Sequence, residues 1–212
     1  MTSGSGRPAT PRSRGRTDLK QERAVRTRGQ VLDAAASAFA RKGFPAVTIL
    51  DVAELMGMTK GAVYFHYPNK EALALAVADE FYRRLGATGD TVRELALSPL
   101  EAVSELLTRT AVAFRDDPMI QAGARLQIER SLIEADLPTP YVGYTNLVES
   151  WLTQARDEGQ LALDTDAEVM ARVLISAFFG AQHISWVLSE RADIAERVRE
   201  ILDVVIQVRR VG

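Results

Sequence analysis

Apolar residues recur at helical spacing along most of the chain, and the gaps between the recurring stretches carry glycine, proline or capping residues. Val25, Val31, Leu32, Ala35 and Phe39 mark one face of a helix running from Glu22 through Ala40. Lys42-Gly43 then supplies a cation for the helix C-terminus and a glycine just past it, which stops the helix. Thr48-Ile49-Leu50-Asp51 is a capping-box sequence that opens a second helix reaching to Met56. Gly57 permits a tight turn, and Thr59 caps a short third helix through Phe65. Pro68 ends that helix, and Asn69 caps a fourth running to Leu85. Five further helical stretches lie near 98–115, 118–134, 139–157, 165–189 and 191–208. Ser98-Pro99, Asp117-Pro118, Leu137-Pro138 with Pro140, Gly159 and Glu190 mark their breaks. No alternating strand pattern appears, and no repeat at a period of about 20–50 residues. The pattern predicts an all-α protein of nine helices.

Composition sharpens this picture at the ends. Residues 1–20 are rich in Gly, Ser, Pro, Thr and Arg and lack large apolar side chains, so they are expected to be a disordered basic tail. Its cations (Arg7, Arg12, Arg14, Arg16, Lys20) suit either a phosphate backbone or minor groove, or simple solvation. Residues 1–70 hold 12 Lys/Arg against 5 Asp/Glu, and residues 71–212 hold 14 against 23. A basic first third on an acidic remainder points to an anionic partner for the first third alone. A hydrophobic share of 47% is enough for a substantial core. No apolar run reaches the roughly 18 residues that span a bilayer, so no membrane partner is expected. The N-terminus lacks the apolar stretch of a secretory signal. Cysteine is absent and only His66 and His183 are present, so neither disulfides nor a metal site is expected, and no cofactor. A cytoplasmic location fits. The expected organisation is a tail over 1–20 followed by two helical units, a basic one over 21–68 and an acidic one over 69–212.

Three short helices with a glycine turn between the second and third describe a helix-turn-helix at 48–66. Val52, Ala53, Leu55, Met58, Val63 and Phe65 are the expected small core. Thr48 and Thr59 sit at helix N-termini, which favour phosphate. Lys60 opens the third helix, where side chains meet base edges, with Gly61 and Ala62 small enough for close approach. Tyr64, His66 and Lys70 suit phosphate contacts that fix register, and Tyr67 is either a contact or a packing residue.

The run from Gly43-Phe44 through Thr48, Asp51-Val52-Ala53 and Gly57-Met58-Thr59-Lys60-Gly61-Ala62-Val63-Tyr64-Phe65-His66-Tyr67-Pro68-Asn69-Lys70-Glu71 closely resembles the DNA-binding domain of the tetracycline-repressor (TetR) family. That resemblance implies a homodimer whose N-terminal heads read a pseudo-palindromic operator on double-stranded DNA. It also implies a C-terminal domain that binds a small-molecule effector, with the fourth helix swinging on ligand binding. Further along, Ala113 to Gln127, Leu137-Pro138-x-Pro140-Tyr141 and Ala177-Phe178-Phe179-Gly180-x-Gln182-His183 resemble the γ-butyrolactone-type autoregulator receptors of antibiotic-producing actinobacteria, the methylenomycin furan receptors above all. By that resemblance Tyr82 and Gln127 donate hydrogen bonds to an effector carboxylate or carbonyl, with Tyr144 and Tyr141 beside them. Tyr144 stands where such receptors commonly carry a pocket Trp. Leu106, Leu126, Trp151 and Phe178 are candidate apolar walls, although plain core packing accounts for each. His183 reads as a structural histidine.

Three rivals stand beside this reading. An enzyme is disfavoured because no phosphate loop, metal cluster or nucleophile elbow is found. A DNA-binding protein without a ligand differs in not releasing DNA to any small molecule. A pseudo-receptor of the same fold, responsive to antibiotics or other compounds, stays open because of Tyr144.

Overall fold

The computed structural model describes the backbone of residues 14–210 and the side chains of 18–206. Among the described residues the chain forms nine α-helices and no strand, as the apolar pattern predicts. They are α1 (Arg14–Lys42), α2 (Ile49–Leu55), α3 (Lys60–His66), α4 (Lys70–Glu94), α5 (Pro99–Asp116), α6 (Pro118–Ile128), α7 (Val142–Asp157), α8 (Ala167–Ser189) and α9 (Ile194–Arg210), with a 3-10 turn at Arg130–Leu132 after α6. Four differences from the sequence expectation have local causes. Helix α1 begins at Arg14, so residues 14–20 of the expected tail are helical; residues 1–13, with Arg7 and Arg12, lie outside the described residues. Helix α4 runs through Gly86 and Gly89 to Glu94, because Gly89 is a packing site: a Cβ there would lie 2.7 Å from Leu147. Helix α6 stops at Ile128, and α7 starts only at Val142, after the prolines and a left-handed Tyr141.

Two apolar cores divide the molecule. The first gathers α1 to α3 with Leu73, Ala74, Val77 and Ala78 of α4 and Met119, Ala122 and Leu126 of α6. The second gathers Phe81 and Leu85 of α4 with α5, α7, α8, α9 and the other face of α6. The cores therefore meet inside α4, past the boundary expected at residue 69. Helix α6 belongs to both. Its Gly123 lies so close to α4 that a Cβ would sit 2.3 Å from the Phe81 Cβ.

Helix α8 corrects one further expectation. Ala167–Ser189 is 23 residues long and apolar enough by length and composition to cross a membrane. In this fold its Leu174, Phe178 and Ser185 face the core, while Val169, Val173, Ile184 and Val187 face outward.

Candidate nucleic-acid interface and effector pocket

The reading head is built from locally satisfied caps. Thr48 accepts a hydrogen bond from the Asp51 backbone N–H, and the Thr48 N–H and hydroxyl donate back to the Asp51 carboxylate at 2.8 and 2.6 Å. Lys42 at the end of α1 pairs with the same carboxylate at 2.5 Å, holding its pKa well below the usual carboxylate range. Thr59 caps α3 by accepting from Ala62 N–H, and Asn69 caps α4 by accepting from Ala72 N–H. Gly57 takes a φ of +62°, the left-handed turn between α2 and α3.

With α3 so placed, Val63 is buried and Thr59, Lys60, Gly61, Tyr64 and Phe65 are exposed; Ala62 and His66 are half-buried. Lys60 lies over the Tyr64 ring at 5.6 Å. This is one polar and aromatic face beginning at a helix N-terminus, the geometry that enters a major groove. Four expectations change. Leu55 and Phe65 are not core residues, since they are 49% and 81% exposed. A helix of seven residues has room for one inward turn, and Val63 fills it. Tyr67 is buried, with its hydroxyl accepting from Arg28 at 3.3 Å, so of its two expected roles the structure shows packing. Lys70 is half-buried, its ammonium donating to the Phe44 carbonyl at 2.9 Å and lying over the Phe44 ring, so it braces the head from within.

The effector side contrasts with this. The Tyr82 hydroxyl and both polar atoms of the Gln127 side-chain amide are buried and have no hydrogen-bond partner. Each such atom costs about 1–3 kcal/mol, so a fold keeps it only with reason. Burial pushes the Tyr82 phenol up to about 12, an effect that Tyr141 reinforces and Arg130 opposes. The Tyr141 backbone amide also lies close enough to ease the phenolate slightly, without an aligned bond to the hydroxyl. The phenol therefore stays neutral and able to donate. A cavity of about 290 Å³ between α4 and α7 is lined by Tyr82, Leu85, Gly86, Arg93, Tyr144 and Leu147, among others.

Gln127 does not line this cavity, and the other expected pocket residues are dispersed. Tyr144 lines the cavity, but its hydroxyl bonds Thr110, whose own hydroxyl donates to the Leu106 carbonyl at 2.7 Å. Tyr141 packs on Phe179 with centroids 4.4 Å apart. Leu106 and Phe178 are fully buried in the second core. Trp151 lines a separate cavity of about 160 Å³. Leu126 is a correction: it lies in the first core, facing α1 and not the effector side. His183 is exposed beside Trp186. Among the described residues no three metal-ligating side chains converge.

A short helix pair exposing its second member's N-terminal face, carried on a larger helical core, defines a helix-turn-helix transcription regulator. A family model described as bacterial regulatory proteins, tetR family, matches residues 31–77, and one described as Tetracyclin repressor-like, C-terminal domain, matches residues 96–209. The chain belongs to the tetR family. It is 33% identical over 182 residues to the A-factor receptor protein of Streptomyces griseus, covering 86% of this chain and 63% of that receptor's length. A solved structure concerning the molecular basis for control of antibiotic production by bacterial hormones is 50% identical, with a TM-score of 0.81, covering 87% of this chain and 98% of the other. The protein CprB from Streptomyces coelicolor, solved in complex with its biological operator sequence, is 28% identical with a TM-score of 0.78, covering 87% of this chain and 89% of the other. CprB is a TetR family protein seen on operator DNA, and the family model is one of bacterial regulatory proteins, in line with the sequence reading.

Proposed function

We propose that this chain is a repressor that binds a pseudo-palindromic operator as a homodimer and is released by a small hormone-like effector of γ-butyrolactone, butenolide or furan type, controlling antibiotic biosynthesis in the cytoplasm. The unpartnered Tyr82 and Gln127 carry the effector half of this reading. A carbonyl or carboxylate of the effector takes the phenol or amide hydrogens that no protein group accepts. The exposed face of α3 carries the DNA half, with Lys60 and Gly61 at base edges, Phe65 against apolar groove surface such as thymine methyls, and Thr48, Thr59, Tyr64 and His66 near phosphate. The outward apolar side chains of α8, with Val204 of α9, supply the self-complementary surface of a dimer. Two heads so joined must stand about 34–36 Å apart to reach successive major grooves. An effector that binds the splayed dimer better than the closed one shifts it off DNA.

The test is to select DNA from a random pool with the purified protein. The selected site is then challenged in a gel shift with synthetic alkyl γ-butyrolactones, alkylfuran carboxylates and extracts of antibiotic-producing actinobacteria. An inverted repeat should emerge, Lys60→Ala should weaken its binding, and one compound class should release it. Recovery of no palindromic site overturns the repressor reading. Release by antibiotics and not by the hormones favours a pseudo-receptor, the alternative that Tyr144 supports, because its bonded hydroxyl reshapes one wall of the cavity.

A further inference from the structure

The end of α1 and the start of α2 form a corner that no residue nearby in sequence holds in full. Its support comes from α6. Arg125 donates to the Ala40 and Arg41 carbonyls at 3.1 Å each, two of the orphan acceptors at the C-terminus of α1. Glu129, one turn on, accepts from the Phe44 backbone N–H at 2.6 Å and pairs with Arg125 at 2.9 Å. The pair is mostly buried, with side chains 19% and 17% exposed. On the far side of Phe44, Lys70 of α4 takes its carbonyl, so both backbone polar groups of one buried residue are held by distant charged side chains. Gly43, in a left-handed conformation at φ +80°, is what lets them in: a Cβ there would lie 2.5 Å from Glu129 and 2.6 Å from Arg125. Arg125 is anchored behind by Trp186 of α8, whose ring lies 5.2 Å from its guanidinium; Arg191, buried and with its Nε unpartnered, lies 5.0 Å from the same ring.

We propose that Arg125 and Glu129 form a latch that sets the position of the reading head against the effector domain. They are positioning residues, touching neither DNA nor effector. The latch rests on the regulator reading above for its purpose: Gln127 lies between its two members on α6, so an effector that draws on Gln127 pulls the helix that holds the corner. The same helix presents Met119, Ala122 and Leu126 to the head core, and Trp186 ties the latch to the helix proposed to carry the dimer contact.

The test uses Arg125→Met and Glu129→Gln in the full chain, read by amide hydrogen exchange and by affinity for the operator that the unaltered protein selects. Exchange over residues 43–47 should rise about tenfold in both variants, with α5 and α8 unchanged. Operator affinity should fall about tenfold with the same salt slope, since no phosphate contact is lost. Trp186→Leu leaves every hydrogen bond at the corner in place and should give a smaller rise at the same residues, partly restored by Trp186→Phe. Unchanged exchange at 43–47, or a rise spread evenly over the chain, overturns the latch. Failure of the unaltered protein to select any operator defeats the regulator reading and leaves the exchange at Phe44 to decide the latch.

Discussion

The reading head and the effector domain use polar groups in opposite ways. In the head the three capping side chains that set α2, α3 and the start of α4 are each spent within three residues: Thr48 with Asp51, Thr59 with Ala62, Asn69 with Ala72. What is left over points outward on α3. In the effector domain the telling groups are unspent, Tyr82 and Gln127, and the one satisfied pocket tyrosine finds its partner 34 residues away. A surface that reads DNA needs rigidity and gets it from caps. A pocket that waits for a ligand keeps buried donors unpaired and is less stable for it.

The largest effect should come from the seam between the two regions. In Gly123→Ala the new methyl meets the Phe81 Cβ and Cγ at 2.3 Å. A Cβ is fixed by its backbone, so no rotamer change relieves the contact, and α4 and α6 must part. Overpacking of this kind costs about 1–3 kcal/mol, against about 1 kcal/mol gained in helix propensity. A net loss, with reduced cooperativity between the cores, is expected in urea unfolding. A variant more stable than the parent would mean that the seam is looser than the structure shows.

A smaller and opposite effect should follow Gln127→Leu. The substitution removes two buried, unpartnered polar atoms at nearly constant volume, so the free protein should gain about 1 kcal/mol in stability. Operator binding should persist, and release by any effective compound should be blunted. Lost stability together with normal release would make Gln127 a structural residue. The contrast with Gly123→Ala is the point: one site holds the regions together, and the other is held in reserve.

Legibility followed the same division. All nine helices were legible because caps and periodicity are local: Thr48, Thr59 and Asn69 cap where their spacing implied. Faces of very short helices were not. Phe65 has the composition of a core residue, but α3 is too short to bury it beside Val63. Tyr67 turns inward because it follows the helix, where periodicity no longer applies. Leu126, a candidate pocket wall for which plain packing is the alternative, packs in the first core: α6 is apolar on two faces, and only tertiary packing says which face meets α1. The end of α4 was not legible: it is expected at Leu85, yet the helix runs on through Gly86 and Gly89, and Gly89 is a contact with α7. The Arg125–Glu129 pair reaches across 85 residues to the α1–α2 corner, and no pattern along the chain announces it.

The smallest effect is electrostatic. Glu80 lies on α4 where the two cores meet, and its carboxyl is lowered from an ordinary 4.5 to about 2, chiefly by the Arg83 hydrogen bonds and further by Arg84 against the cost of burial. Arg84 also reaches Asp117 at 2.6 Å and Asp33 of α1 at 3.9 Å, so this carboxylate belongs to a network joining α1, α4 and α6. A folded-state value below the unfolded one means that the unfolded chain binds the proton more readily between pH 4.5 and about 2. The stabilisation is therefore complete above pH 4.5 and is lost as pH falls towards 2. The pairs are partly exposed, so the effect should be modest and should shrink with salt. Urea unfolding of the parent and of Glu80→Gln should differ by a constant amount above pH 4.5, and the difference should vanish by about pH 2. Tyr82 stays neutral through that whole range, because its phenol is raised to about 12. Acid should thus slacken the junction while leaving the pocket's donor intact. A difference between the two proteins that grew on acidification would assign Glu80 a role in the protonated form and break this account of the junction.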